Sequence, residues 1–280
     1  DNLNSLMDSI ATLALNLKIR NLSLSNADVL YFNPDLAKLD FFKNKQIKST
    51  FSGNINGRIN NLKGKNIRFK TAKNTQLKTD FHIIGLPVGE TAFFNFPNLN
   101  LISTREDIQQ MAASYIPVSI EIPDEIEADI AFKGKINDLI TSIKMNSSIG
   151  KAWLEATVDK DEKFNANLNL ENLDLGVLLK NKKMYGPVSM TAQAKGHGLD
   201  QKTVKATIDA HVSAIKLNNY VYHNLLLDGI VANQQFDGKI KLNDQYAEFD
   251  FDGLVNFNKG KERLKLNLNL SGADLQKFHF

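Results

Sequence analysis

The chain has 280 residues and a mass of 31.3 kDa, and its 34 Lys+Arg against 31 Asp+Glu leave a formal charge of +3. That balance lacks the concentrated basic excess of a nucleic-acid binder, so no nucleic-acid partner is expected. The absence of cysteine removes thiolate metal sites, disulfides and cysteine nucleophiles together.

In chain order, the dominant period is two. Leu15, Leu17 and Ile19 alternate with Asn16 and Lys18, and Phe51, Ile55 and Ile59 alternate with Ser52, Asn54, Asn56 and Arg58. Such alternation predicts strands with one apolar and one wet face. Thr104 then predicts a helix cap for Arg105–Ser114, with Glu106 and Asp107 in the first turn, and Pro117 stops it. Alternation returns over Ile126–Ile136 and Phe164–Leu170. Asp174 next predicts a cap for a short helix over Leu175–Lys180. Five more alternating runs follow: Val188–Ala194, Val204–Val212, Phe236–Leu242, Ala247–Phe251 and Leu264–Leu270. Turn signals are read at Asn61–Gly64, Asp159–Glu162, Asn218–Asn219, Asp228–Gly229, Asp237–Gly238 and Asn258–Gly260. The expectation is a mostly all-β chain of roughly fifteen to twenty strands. They would form one long antiparallel curled sheet with two short helices.

Two kinds of repetition support a sheet that grows along one axis. Asn167–Leu175 is echoed by Asn267–Leu275, each an alternating run leading into Asp-Leu, and Ser271–Phe280 reads as cap and helix. Gly57-Arg-Ile-Asn-Asn61 and Gly134-Lys-Ile-Asn-Asp138 are near-identical, with Gly196-His-Gly-Leu-Asp200 a looser version. No linker divides residues 1–280, which read as one continuous segment, and the start at Asp1 suggests a piece of something longer.

Chemistry is hard to find. No histidine pair has zinc-helix spacing, no serine sits in a nucleophile elbow and no glycine run forms a phosphate loop. Glu248-Phe-Asp250-Phe-Asp252-Gly253 begins like a calcium loop, but its twelfth position is Lys259, and the interleaved Phe249 and Phe251 suit a strand's apolar face. A single tryptophan, Trp153, argues against both a carbohydrate-stacking platform and a nucleic-acid stacking surface. No enzyme, metal or cofactor is expected. What remains is the apolar face itself, which either forms an ordinary sandwich core or lines a trough suited to acyl chains. Its candidate lining is Ile130, Phe132, Ile136, Leu168, Leu170, Phe249, Phe251, Leu266, Leu268 and Leu270.

Gly53-Asn-Ile-Asn-Gly-Arg-Ile-Asn-Asn-Leu-Lys-Gly-Lys-Asn-Ile-Arg-Phe69 resembles the hairpin repeats of the AsmA-like superfamily. Gly85-Leu-Pro87, Glu90-Thr91, Phe93-Phe94-Asn-Phe96 and Ser103–Ile108 are similar to TamB-type translocation and assembly module proteins of Bacteroidetes, although Val88-Gly89 departs from that style. The resemblance covers most of residues 45–280. It implies a periplasmic β-taco with a hydrophobic groove, bridging inner and outer membranes, with the full-length protein anchored in the inner membrane. It further implies phospholipid acyl chains as cargo and an outer-membrane barrel of the TamA/BamA kind as partner. Two other readings stay open: a transmembrane β-barrel, and a β-sandwich or solenoid that binds proteins.

Overall fold

The computed structural model describes residues 10–200, 203–256 and 263–273. The chain divides into two compact units, Asp1–Ser148 and Ile149–Phe280. The first contains β1 (Ala14–Ser25), β2 (Lys48–Arg58), β3 (Asn61–Thr71), β4 (Thr75–Ile84), β5 (Phe93–Thr104), β6 (Glu125–Lys135) and β7 (Asp138–Ser147). The second contains β8 (Gly150–Val158), β9 (Lys163–Asp174), β10 (Tyr185–His197), β11 (Lys205–Leu217), β12 (Tyr220–Ala232), β13 (Gln235–Asn243), β14 (Ala247–Asn256) and β15 (Arg263–Ala273). Within each unit the strands pair antiparallel in chain order, forming an unclosed, curled sheet. The mostly-β antiparallel class expected from the period-two pattern is the one observed.

Four short helices interrupt the strands among the described residues. α1 (Asn26–Phe32) and α2 (Asp40–Lys43) lie between β1 and β2, α3 (Arg105–Ala112) follows β5, and α4 (Leu175–Leu178) follows β9. The two predicted helices are present but shorter, α3 passing into a 3-10 turn at Ala113–Tyr115. Their caps are the expected ones. Thr104 accepts from the Asp107 N–H at 3.5 Å and Asp174 from the Val177 N–H at 3.0 Å. The two helices before β2 were not anticipated. Their signal was a capping box, Ser25 with Asp28, in which the Asp28 N–H donates to Ser25 Oγ and the Ser25 N–H to the Asp28 carboxylate.

Several turn assignments need correction. Asn61–Gly64 lies inside β3, and Asp228–Gly229 and Asp237–Gly238 lie in the middle of β12 and β13. There Gly229 and Gly238 are direct cross-strand partners. A Cβ at either would come within 2.6 or 2.9 Å of the Phe236 ring, so the glycines make room for it. The hairpin instead turns at Asn233 and Gln234, both with positive φ. Asp159–Glu162 and Asn218–Asn219 do form turns, while Asn258–Gly260 and the Asp274-Leu275 end of the echo lie outside the described residues. Ser271–Ala273 continue β15 rather than opening a helix.

Asparagine does more than wet one face. Six of the ten described non-glycine residues with positive φ are Asn, and three of these, Asn66, Asn172 and Asn224, sit inside strands. At Asn66 and Asn172 the register shifts, whereas at Asn224 the pairing with β11 keeps its register across the gap. Asn tolerates this conformation better than other side chains, so at the first two it fits where bulges bend the strands.

Candidate functional site

The cross-strand registers of the second unit place its alternating residues in continuous rows. One row runs Leu154–Leu168–Ala192–Ala210–Leu227–Ile240–Phe251–Leu268 from β8 to β15. The row beside it, from Ala152, includes Leu170, Val212, Leu242, Phe249 and Leu270. The next, from Ala156, is built of small residues around Gly229, Gly238 and Gly253 and ends at Leu266. A fourth joins Val158, Phe164, Gly196, Ala206, Val231, Phe236, Val255 and Leu264. Every position in these four rows is apolar or glycine.

The adjacent row on the opposite face is polar throughout: Glu155–Asn167–Gln193–Asp209–Asp228–Lys239–Asp252–Asn267. In β14 this split places Phe249 and Phe251 on the apolar side and Asp250 and Asp252 on the wet side, where Asp250 pairs with Lys241 at 3.7 Å. The strand reading of this segment holds.

Seven of the ten candidate lining residues therefore share one face. Leu170 and Phe251 are buried, Leu168 and Phe249 are half-buried, and exposure rises at β15, where Leu268 is 51% exposed. Rows in mid-sheet are shielded by their own neighbours. The single-turn α4 packs against β10, and the strands otherwise make their substantial contacts with sequence neighbours. Along the side of the sheet face that carries Leu242, Tyr220, Tyr222 and Tyr246 pack around Leu242 and Ala247. Asp244 secures them, accepting the Tyr220 hydroxyl and the N–H of His223 at 2.8 Å. Burial pushes the Asp244 carboxyl up, but these donors and the Tyr246 N–H outweigh it and hold it below the usual range.

The other three candidates lie in the first unit and are not equivalent. Ile130 pairs with Leu99 and Ile143, and Phe132 with Phe96 and Thr141, so both stand on that unit's apolar face. Ile136 does not. β6 ends at Lys135, and Ile136 occupies the turn to β7 with 63% exposure. The alternation of Ile126–Ile136 stops as a strand at Lys135, because Ile136 belongs to the repeated Gly-x-Ile-Asn turn. Gly57 and Gly134 begin that turn in both copies with positive φ, and a Cβ would meet the carbonyl of Asn61 or Asp138 at 2.3 or 2.2 Å.

One end of the first unit's face is closed, which the sequence did not reveal. Asn26 is buried and its Nδ2 donates to the carbonyls of Phe41 at 2.6 Å and Asn44 at 2.9 Å, folding α1 and α2 back together. Beneath them Leu22, Leu24, Val29, Phe41, Phe51 and Phe69 line an apolar pocket of ≈ 190 Å³. The 3-10 turn after α3 joins this cap, since the Ser114 N–H donates to Asp40 at 2.6 Å. Below it the face becomes hydroxylated, with Ser49 and Thr71 hydrogen-bonded at 2.8 Å and Thr75 and Ser103 at 2.8 Å.

No family model matches the chain, and no curated protein or solved structure matches it either.

Proposed function

We propose that this chain is a non-enzymatic lipid-transfer segment whose apolar rows hold phospholipid acyl chains. The observation that carries the reading is the unbroken run of four apolar rows across β8–β15, backed by a polar face. Eight strands at about 4.8 Å spacing give a lane about 34 Å long. One leaflet's hydrocarbon is half of a bilayer core of about 30 Å, so the lane takes two chain lengths end to end. Each methylene moved from water onto it gains about 0.8 kcal/mol, and a surface built of Leu, Ala, Phe and Gly offers no polar group to orient a headgroup.

The resemblance to AsmA-like and TamB-type proteins supports the same reading and extends it. On that basis the segment works in the periplasm, as part of a bridge between inner and outer membranes anchored in the inner membrane. It then serves phospholipid transport to the outer membrane, and outer-membrane protein assembly beside a barrel of the TamA/BamA kind. No cofactor enters this scheme.

Native mass spectrometry and organic extraction of the purified chain test the proposal. Co-purifying phospholipid that exchanges with added lipid is expected. A chain that stays lipid-free after incubation with phospholipid overturns it.

A further inference from the structure

We propose that the wet face around Trp153 binds a neutral oligosaccharide. Trp153 projects on the face opposite Ala152 and Leu154, where it is the cross-strand partner of Asn169, which in turn partners Thr191. The next row on that face begins Glu155, Asn167, Gln193 and Asp209. Together these side chains line a shallow groove of ≈ 420 Å³. A second groove of ≈ 360 Å³ shares Asn167, Gln193 and Asp209 and continues to Asn165 and Asp228.

Three features select the ligand. Trp153 is half-buried in this groove, and the open part of its flat indole is a surface that stacks on the C–H face of a pyranose ring. The side chains of Glu155, Asn167, Asn169, Gln193 and Asp209 have no hydrogen-bond or ion-pair partner among the described residues. They present carboxamides and carboxylates, which bridge vicinal hydroxyls as donors and acceptors. No Lys or Arg lines the first groove, where Glu155 and Asp209 repel phosphates and uronates, and in the second Lys195 is outnumbered by Asp209 and Asp228, so the complementary ligand is neutral. The two abutting grooves reach from β8 to β12, about 19 Å at the usual strand spacing, which matches a chain of sugars rather than one ring. This face is the reverse of the apolar rows, so the inference stands or falls independently of lipid binding.

Trp153 is the only tryptophan in the chain, so its fluorescence reports this site alone. Purified protein is titrated with maltohexaose, cellohexaose and chitohexaose, and with tetramethylammonium chloride as a cationic control. At least one hexasaccharide is expected to quench or blue-shift the emission saturably at millimolar or lower concentration. Asn167→Ala and Gln193→Ala should each weaken that binding about tenfold while leaving the circular dichroism unchanged. Trp153→Ala should abolish the heat of binding in calorimetry. The proposal is overturned if none of the three sugars changes the emission, if only tetramethylammonium does, or if the Asn167 and Gln193 variants bind as well as the parent.

Discussion

Leu168 in β9 and Leu268 in β15 stand in the same cross-strand row, joined through Ala192, Ala210, Leu227, Ile240 and Phe251. One hundred residues of chain and about 29 Å of sheet separate them, so in the proposed lane two acyl chains lying end to end would be needed to reach both. Leu268→Asp is expected to cut bound phospholipid about tenfold or more, because a carboxylate interrupts the apolar row. Leu268 is more than half exposed, so the same change should alter unfolding free energy by only about 0.5 kcal/mol. Lipid counting by mass spectrometry beside a denaturation curve checks both halves. Leu168→Asp should also empty the lane but cost more stability, since that side chain is half-buried.

The Gly229–Gly238 pair predicts a site intolerant of small additions. A Cβ on Gly238 would lie 2.3 Å from the Asp228 carbonyl oxygen as well as near the Phe236 ring. Gly238→Ala should therefore destabilise by about 1–3 kcal/mol, and trimming Phe236 to Leu should not rescue it, because the backbone clash remains. Urea denaturation of the single and double variants decides this. Gly272, with open space around it, is the matched control expected to accept Ala.

Asp107 ties α3 to the β3–β4 hairpin. It is buried and accepts the Asn74 N–H at 2.7 Å and the Thr75 hydroxyl at 2.9 Å. Thr75 has one proton and gives it to Asp107, so the Ser103 hydroxyl donates to Thr75. Asp107→Ala leaves these donors without an acceptor and should cost about 2–3 kcal/mol, with Asp107→Asn intermediate. Faster proteolysis within residues 105–124 should accompany it.

Acid should loosen the helical cap of the first unit. The Lys43 ammonium, then the Ser114 hydroxyl and N–H, hold the Asp40 carboxyl well below the usual carboxylate range. A carboxyl depressed in the folded state adds stability above its unfolded pKa and loses it as pH falls toward the folded value. Hydrogen exchange in residues 26–47 should thus accelerate as pH drops below about 4, after correction for intrinsic rates. Asp40→Asn should exchange faster at neutral pH and show a flatter pH profile. An unchanged profile would refute the link.

Period-two alternation exposed the strands and both faces, because each strand buries one side only. Trp153, Leu226 and Ile230 are exceptions on the wet face that the pattern alone leaves unexplained. Caps at Thr104 and Asp174 were legible since a side chain satisfies a helix N–H within three residues. The turns were less legible. Asp-Gly pairs normally mark hairpins, but here the glycines of β12 and β13 answer to Phe236, a neighbour identified only once the register is known. The helical cap over the first face escaped for a similar reason: Asn26 looks like any of the about one in nine residues that are Asn. Its role depends on carbonyls 15 and 18 residues away.

Strand pairing between chain neighbours also governs how the molecule is made. Within each unit every strand finds its partner across the preceding turn or insertion, and no first strand must wait for a last one to close the sheet. Contacts so local favour fast folding, and the order of assembly can follow the order in which the chain emerges. Each newly delivered hairpin finds a finished edge to zip onto. The newest edge always exposes a fresh run of unpaired backbone groups, so the nascent chain is most vulnerable to mispairing at its growing end and is protected by the arrival of its own next strand.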